Sequence, residues 1–243
     1  MKKDETNMIL PFSLGRRADG TERGIDLGKR SNSPLLVAGT ASEEAKVHYV
    51  DGLLASLAAS RSPDEAIVYV LGDEKETLRQ FAPLPHMKRE CPPLVRRHLL
   101  GRPVRLPHIE NPCGDEMLGC DMIKPMLTLE MELRLKHLAS VGICNMETLN
   151  RSADGRHRWP LIVVVVDGAD ASSSFPESEF YGRMDRLLAL GGAAEFRFVF
   201  VSRDANGDNA LAALIAALRF KGVVATLSPN SQPEGSAEIK HIN

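Results

Sequence analysis

Length, composition and charge bound what this chain can be. It has 243 residues, of which 43% are hydrophobic and 26% charged, and its 30 Lys and Arg residues against 32 Asp and Glu residues leave a formal net charge of −2. Such a composition is typical of a folded protein with one large domain or two small ones, and it excludes wholesale disorder. The balanced charge excludes an overall electrostatic affinity for nucleic acid, so any surface of that kind has to be local.

The sequence predicts no membrane span, no disulfide framework and no metal site. The longest apolar run, Leu161 to Val166, is far shorter than the roughly 20 residues that a transmembrane helix needs. The first residues lack the apolar stretch of a secretory signal, so we expect a cytoplasmic protein. Neither the histidines nor the cysteines have metal-ligand spacing, and we expect four reduced thiols: Cys91, Cys113, Cys120 and Cys144.

Apolar strands alternate with amphipathic helices along most of the chain. Strands are predicted at residues 34–40, 66–71, 161–166, 196–201 and 222–227. Helices are predicted at residues 47–59, 115–145, 179–190 and 209–220. Ser42 and the two glutamates after it are typical of a helix N-terminus. The alternation predicts an α/β fold in which a mostly parallel central sheet is covered by helices on both faces.

The remaining segments differ from this pattern. Residues 1–8 are predicted to form a disordered tail and residues 229–243 a polar, frayed one, which leaves residues 9–228 as a single domain. A proline-rich stretch from 83 to 111 carries a cluster of six cations: Lys88, Arg89, Arg96, Arg97, Arg102 and Arg105. These cations are candidate contacts to a DNA backbone. A solvated loop is the alternative, because the aromatic residues of a base-stacking surface are missing from the stretch.

Several motifs follow one another in a characteristic order. A strand ending in Ala38-Gly39-Thr40 opens directly into a helix, which is a common place for a phosphate-binding loop. Further along come Pro107-His108-Ile109, Glu130-Met131-Glu132, a strand ending at Asp167, and Val201-Ser202-Arg203. Over residues 9 to 227 this order resembles the motor domain of the FtsK/SpoIIIE family of DNA translocases. The resemblance implies a RecA-like P-loop ATPase fold, with ATP and magnesium bound between neighbouring subunits.

The loop departs from the family pattern where the pattern carries chemistry. The family reads AGTTGSGKS, and the residues of this chain at its glycine, threonine, lysine and serine positions include Gly39, Thr40, Ser42, Glu44, Ala45 and Lys46. The last four replace, in order, two glycines, the phosphate-binding lysine and the magnesium-binding serine. Glycines allow successive backbone N–H groups to face a phosphate. A glutamate about 4 Å from a phosphate would cost about 4 kcal/mol at an effective dielectric of 20. We therefore expect neither ATP nor magnesium as a cofactor.

The later nucleotide motifs are incomplete as well. The family's catalytic Asp-Glu pair is Asp167-Gly168 here, so a residual magnesium ligand remains without the carboxylate that orients the attacking water. Ser202 replaces the glutamine that the resemblance implies as the γ-phosphate sensor, and Arg203 follows it unchanged. Asp167 and Arg203 are the residual catalytic candidates. Each also has a structural interpretation, as a loop residue or as a salt-bridge partner.

These departures predict a pseudo-ATPase that acts as a scaffold or regulatory subunit of a DNA-translocation or related assembly. Its expected partners are FtsK-like subunits, in a homo- or hetero-oligomer, with double-stranded DNA as a further candidate. Two alternatives stay open. One is an active ATP-dependent DNA translocase in which Asp167 holds magnesium and Lys46 the phosphate. The other is a protein-interaction module of a secretion or conjugation machine that binds no DNA.

Overall fold

An eight-stranded sheet organises the part of the chain that the computed structural model describes. The described residues are 13–16, 22–30, 33–71, 85, 87, 92–95, 120–152, 158–167, 180–202, 222–228 and 237–242. The strands are β1 (Ser13–Arg16), β2 (Glu22–Gly24), β3 (Leu35–Ala38), β4 (Ala66–Leu71), β5 (Leu161–Asp167), β6 (Phe196–Val201), β7 (Gly222–Leu227) and β8 (Ala237–Ile242). The described helices are α1 (Glu43–Ser60), α2 (Cys120–Val141), α3 (Met146–Ser152) and α4 (Phe180–Gly191).

The central strands run parallel, as the alternation of strands and helices predicts. Five neighbours, in the order β7-β3-β6-β5-β4, pair in parallel. β8 pairs antiparallel with β7, β1 pairs parallel with β8, and β2 closes the other end of the sheet antiparallel to β1. All seven residues of β5 are buried, which requires covering layers on both faces. The predicted α/β fold with a mostly parallel sheet is confirmed.

Two apolar layers, one on each face, enclose the parallel strands. Alternate residues of a strand point to opposite faces, and on β5 Val163 and Val165 lie in one core cluster while Ile162, Val164 and Val166 lie in the other. The first cluster is completed by α1 and the second by α2 and α4. Helices therefore cover both faces of the parallel strands, which leaves the two rims, where the strands begin and end, uncovered by these two layers.

The prediction of a frayed tail is wrong for residues 237–242, which form β8. This strand lies between β7 and β1, so the sheet continues beyond the predicted boundary at residue 228. β8 pairs with β7 over its full length, from Ala237 opposite Leu227 to Ile242 opposite Gly222. Its sequence AEIKHI contains no apolar run, and the strand is defined by backbone pairing with β7 on one side and β1 on the other. The predicted tail at residues 1–8 and the helix at 209–220 lie outside the described residues.

The helix predicted at residues 115–145 is described from Cys120 and ends at Val141, four residues before the predicted end, and α3 begins separately at Met146. α2 ends at Val141 because Gly142 adopts a φ of 69°, the left-handed conformation that favours glycine. The N–H of Ile143 then bonds back to the carbonyl oxygen of Leu138 at 3.1 Å, which closes the end of α2. Asn145 begins the next helix, since its Oδ1 accepts a hydrogen bond from the N–H of Thr148 at 2.8 Å.

A buried ion pair on α2 anchors a distant segment. Glu130 and Arg134 lie one turn apart, both 0% exposed, and Arg134 Nε donates to Glu130 Oε1 at 2.9 Å. The other carboxylate oxygen, Oε2, accepts hydrogen bonds from the N–H groups of Leu94 at 2.7 Å and Val95 at 3.0 Å. One carboxylate therefore satisfies three donors, two of them from the short described segment at residues 92–95.

Arg134 extends the same network to the sheet. Its Nη1 donates to the carbonyl oxygens of Pro160 at 2.8 Å and Ala194 at 3.0 Å, just before β5 and β6 begin. The ring of Phe196 lies 5.5 Å from the guanidinium carbon. Burial lowers the pKa of Arg134, and the Glu130 carboxylate acts in the opposite direction. The buried guanidinium is thus compensated by Glu130 and two backbone carbonyl groups, and it connects α2 to the residues before β5 and β6.

Replacing Arg134 by methionine should lower the free energy of unfolding by about 3–5 kcal/mol, because the change leaves Glu130 as an unpaired buried carboxylate. Urea denaturation measures the loss. The matched control is Arg151→Met: Arg151 pairs with Glu147 at the same spacing of four residues, but the two side chains are 76% and 54% exposed. That change should cost no more than about 0.5 kcal/mol. Equal losses for the two variants would contradict the role assigned to the buried pair.

Candidate functional site

The loop before α1 and the ends of β5 and β6 meet at one rim of the sheet. Val37 of β3 is in register with Val201 of β6, and Val201 is in register with Asp167 of β5. The N–H of Ser202 donates to the carbonyl oxygen of Val37 at 3.0 Å, which continues this row past the end of β6. Asp167 and Ser202 are 2% and 1% exposed. Three groups of predicted site residues thus lie at the carboxyl rim, where open α/β sheets bind ligands.

The other predicted site residues cannot be placed. Arg203 lies outside the described residues, and so do all six candidate DNA contacts: Lys88, Arg89, Arg96, Arg97, Arg102 and Arg105. Their assignment stays a prediction from the sequence. The described residues 92–95 lie within the same stretch, and Glu130 holds them against α2.

The loop itself packs against the end of β7. Gly39 has a φ of 108°, a conformation that L-residues with side chains rarely adopt. A Cβ atom at this position would lie 2.2 Å from the carbonyl oxygen of Leu227. The same oxygen accepts a hydrogen bond from the N–H of Ala41 at 3.2 Å. Gly39 is therefore required by close backbone packing, and one N–H group of the loop is bonded within the protein.

α1 begins inside the segment that corresponds to the family's phosphate-binding loop. Ser42 is its N-cap residue, and the Ser42 hydroxyl accepts a hydrogen bond from the N–H of Ala45 at 3.2 Å. The N–H of Lys46 bonds to the Ser42 carbonyl oxygen at 3.1 Å. Residues 43–46 thus form the first helical turn, so the helix begins four residues before the predicted start at 47, at the position that Ser42 and the two glutamates indicate.

The side chains of this turn do not form a cationic cradle. Thr40, Glu44 and Ala45 are exposed, and Glu43 adds a second exposed carboxylate in the first turn. Lys46 is 1% exposed, one of the largest fully buried side chains described, and it has an interaction partner in the protein. Carboxylates near a helix N-terminus stabilise the helix through its dipole, and they repel an anion approaching the same place.

The described ranges contain neither a metal-binding cluster nor a helix that could span a membrane. No group of three or more His, Cys, Asp or Glu residues among them is placed to hold a metal ion. None of the described helices is long and apolar enough to cross a membrane. Cys144, one of the four predicted thiols, is free and exposed.

Two groups of residues have no assigned role in the sequence-based prediction. The first group is Glu130 and Arg134, which the sequence could have indicated, because a Glu and an Arg four residues apart on the apolar side of a helix can form a buried pair. The second group lines a cavity at the opposite rim and includes Arg61, Arg158 and Trp159. Those residues come from separate segments, and no spacing in the sequence connects them.

Comparison with known sequences gives one partial similarity. No family model matches the chain. The DNA translocase FtsK of Borreliella burgdorferi is 33% identical over 78 residues, which are 32% of this chain and 10% of that protein. The similarity therefore covers a small part of a much longer relative.

Comparison with solved structures gives similarity over nearly the whole chain. EssC (ATPases 2 and 3) from Geobacillus thermodenitrificans superimposes with a TM-score of 0.61 at 16% identity, over 96% of this chain and 42% of that one. The cytoplasmic domain of the type VII secretion ATPase EccC from Thermomonospora curvata gives 0.58 at 16% identity, over 92% and 24%. EccC (ATPases 2 and 3) with a signal sequence peptide gives 0.57 at 19% identity, over 87% and 34%. The chain spans less than half the length of each of these structures.

Replacing Gly39 by alanine should destabilise the protein well beyond the roughly 1–3 kcal/mol that a strained backbone conformation costs, because the added Cβ also collides with Leu227. Gly142→Ala is the matched control, since Gly142 also has a positive φ but a Cβ there would meet nothing within 4 Å. Its cost should be about 1–2 kcal/mol. Thermal unfolding compares the two variants, and equal losses would show that packing against β7 does not explain Gly39.

Proposed function

The chain has the fold of an FtsK-like motor domain, and on that premise we propose that it is a pseudo-ATPase acting as a scaffold or regulatory subunit of a translocation assembly. The observation that carries the proposal is the set of side chains on the first turn of α1, at the place of the family's phosphate-binding residues. Ser42 caps the helix where the family's loop has a glycine, Glu43, Glu44 and Ala45 are exposed, and the side chain of Lys46 is buried.

Loss of backbone donors is the first supporting argument. A phosphate at a helix N-terminus is bound by N–H groups that have no partner within the helix. Here the N–H of Ala41 bonds to Leu227 and the N–H of Ala45 bonds to the Ser42 hydroxyl. A nucleotide would have to break these bonds to reach both donors. A loop without its second and third glycines is also less able to rearrange.

Loss of cation chemistry is the second argument. The methyl side chain of Ala45 cannot donate a hydrogen bond to a phosphate as the family's lysine does, and a charge-assisted hydrogen bond of that kind is worth about 1.5–3 kcal/mol. Lys46 cannot replace the magnesium-binding serine, because an ammonium group has no lone pair to offer a metal. Its side chain is buried, whereas Ala45 and the two glutamates before it are exposed. Together with repulsion by those carboxylates, these losses reach about a thousandfold or more in affinity.

Asp167 and Ser202, the described residues at the other two motif positions, do not supply the missing groups for hydrolysis. Asp167 is buried at the end of β5, and the residue after it is Gly168, which has no carboxylate to orient water. Ser202 directs its backbone N–H to Val37, and its side chain is shorter than the glutamine that the resemblance implies. A preserved sheet with an incomplete nucleotide site suits a subunit that packs beside a similar domain. The solved EssC and EccC fragments, which hold ATPases 2 and 3 in one chain, support an arrangement of neighbouring domains.

Millimolar ATP with magnesium should leave the melting temperature unchanged. A ligand present at 100 times its dissociation constant would stabilise the protein by about 2.7 kcal/mol, which corresponds to roughly 5–10 °C for a chain of this size. Differential scanning fluorimetry measures the shift. A shift of several degrees that disappears in Lys46→Ala would overturn the proposal in favour of the active translocase.

A rebuilt loop provides the positive control for that experiment. The quadruple change Ser42→Gly, Glu44→Gly, Ala45→Lys and Lys46→Ser restores the family's two glycines, its lysine and its serine, which are four of the six positions altered between residues 41 and 46. Because it supplies glycines, a phosphate-binding cation and a metal-binding hydroxyl, the variant should gain an ATP-dependent shift that the natural chain lacks. Circular dichroism without nucleotide checks that the variant folds. If it does not fold, the melting temperature of the natural chain with ATP and magnesium still tests the proposal.

Binding to duplex DNA distinguishes a subunit of a DNA-translocation assembly from an interaction module that binds no DNA. If the six cations between Lys88 and Arg105 contact phosphates, retention on DNA should fall with salt with a log–log slope of up to about −5. Arg96→Ala combined with Arg97→Ala should then reduce that slope by about 2. Arg151→Ala is the control, because it removes an exposed arginine from another part of the chain. Absence of salt-dependent retention would favour the interaction module of a secretion or conjugation machine.

A further inference from the structure

The proline-rich stretch from 83 to 111 is fixed to the rest of the fold at two described places. Met87 is the first of them. It pairs in parallel with Val68 as an isolated bridge, and its half-buried side chain packs against the core cluster on the α1 face. Val68 belongs to β4, the last strand of the described sheet, and β5 occupies its other side. Met87 therefore lies at the outer edge of the sheet.

The second place is the helical turn at residues 93–95, which a side chain of α2 caps. Pro93 takes its first position, where the missing N–H of proline costs no hydrogen bond. Glu130 Oε2 accepts hydrogen bonds from the next two N–H groups, those of Leu94 at 2.7 Å and Val95 at 3.0 Å. Glu130 thus does for this turn what an N-cap side chain does within one helix, and its charge complements the helix dipole.

Four of the six candidate cations adjoin these two places in the sequence. Lys88 and Arg89 directly follow the first place, and Arg96 and Arg97 directly follow the second. Because two residues span at most about 7 Å of chain, both pairs start from backbone that the fold holds in place. Cations on a fixed backbone bind phosphates more tightly than cations on a free loop, since less conformational entropy is lost on binding.

The Glu130 carboxylate can hold the turn without repelling a phosphate. It is 0% exposed, and Arg134 Nε donates a hydrogen bond to its other oxygen at 2.9 Å. Its negative charge is therefore compensated within the protein. An exposed carboxylate in the same position would oppose the binding of a phosphate.

We propose that Glu130 is a positioning residue for double-stranded DNA, because it fixes the turn from which Arg96 and Arg97 reach phosphates. The inference rests on the DNA-binding form of the proposed function and is independent of the nucleotide site. Without Glu130 the cations remain, but only the molecules with the turn in place are competent to bind. The apparent affinity for DNA then falls in proportion to that competent fraction.

Replacing Glu130 by glutamine tests the proposal through the sign of the effect. The change removes a negative charge, so electrostatics alone would strengthen DNA binding. A glutamine side chain cannot accept hydrogen bonds at both of its polar groups, because one of them is itself a donor, and the turn is loosened. Affinity for a duplex of about 20 base pairs should therefore fall at least about fivefold, the lower end of typical couplings between sites. Fluorescence anisotropy at low salt measures it.

Glu132→Gln is the matched control for this variant. It makes the same charge change two residues further along α2, but Glu132 is exposed and pairs with Arg186 rather than with the turn at 93–95. Its affinity for the same duplex should stay unchanged or rise slightly.

Hydrogen exchange of the natural chain gives a second measurement that needs no substitution. Coupling between sites is reciprocal, so DNA whose binding depends on the turn also stabilises the turn. A saturating duplex should therefore slow exchange of the Leu94 and Val95 N–H groups by the same factor, at least about fivefold. A glutamate that only stabilises the fold would not produce this protection, and the measurement decides the question if Glu130→Gln does not fold.

The remaining outcomes distinguish failure of the inference from failure of its premise. Undiminished binding in a folded Glu130→Gln variant, an equal loss in Glu132→Gln, or unchanged exchange at Leu94 and Val95 would overturn the positioning role while DNA binding stands. An undiminished salt slope in the Arg96→Ala, Arg97→Ala variant would overturn it as well, because the contacts would then lie elsewhere. Absence of DNA binding by the natural chain would remove the premise and the inference together.

Discussion

Burying a carboxylate and a guanidinium away from water is tolerated only when their polar atoms find partners, and the fold is arranged around that requirement at Glu130 and Arg134. The pair connects α2 to residues 92–95 and to the backbone before β5 and β6. Within the described part of the chain Arg134 Nη2 has no hydrogen-bond partner, and the Phe196 ring beside the guanidinium supplies part of the compensation. Asp167 and Ser202 lie at or just after the other ends of β5 and β6, so the Glu130–Arg134 pair fixes the strands that lead to the candidate site at the carboxyl rim.

The loop before α1 has contacts within the protein that account for its retained residues. Gly39 is explained by its contact with β7, and Ser42 and two carboxylates stabilise the helix N-terminus. Retention of the Ala-Gly-Thr sequence is consequently weak evidence for nucleotide binding, whereas Ser42, Glu44, Ala45 and Lys46 are informative.

Local apolar runs made the parallel strands predictable, and long-range pairing made the rest of the sheet unpredictable. The predicted bounds of β4, β6 and β7 agree with the structure because each is an apolar run between turn residues. β8 escaped prediction because its stability comes from β7, which no local pattern reveals. The meeting of the loop with Asp167 and Ser202 followed from the common direction of parallel strands. The cavity around Trp159 did not, since its side chains meet only through the fold.

The position of β8 also governs the order in which the sheet can be assembled. β1 and β2 form a hairpin early in the chain, yet the described pairing connects that hairpin to the parallel strands only through β8, roughly 220 residues after Arg16. During synthesis the hairpin therefore stays unconnected to the parallel strands until β8 has left the ribosome, whereas β7, which ends ten residues before β8 begins, emerges only shortly before its partner. A strand that contains no apolar run thus becomes the closing piece of the sheet, and the time before it arrives is when the nascent chain is most exposed to edge-to-edge association.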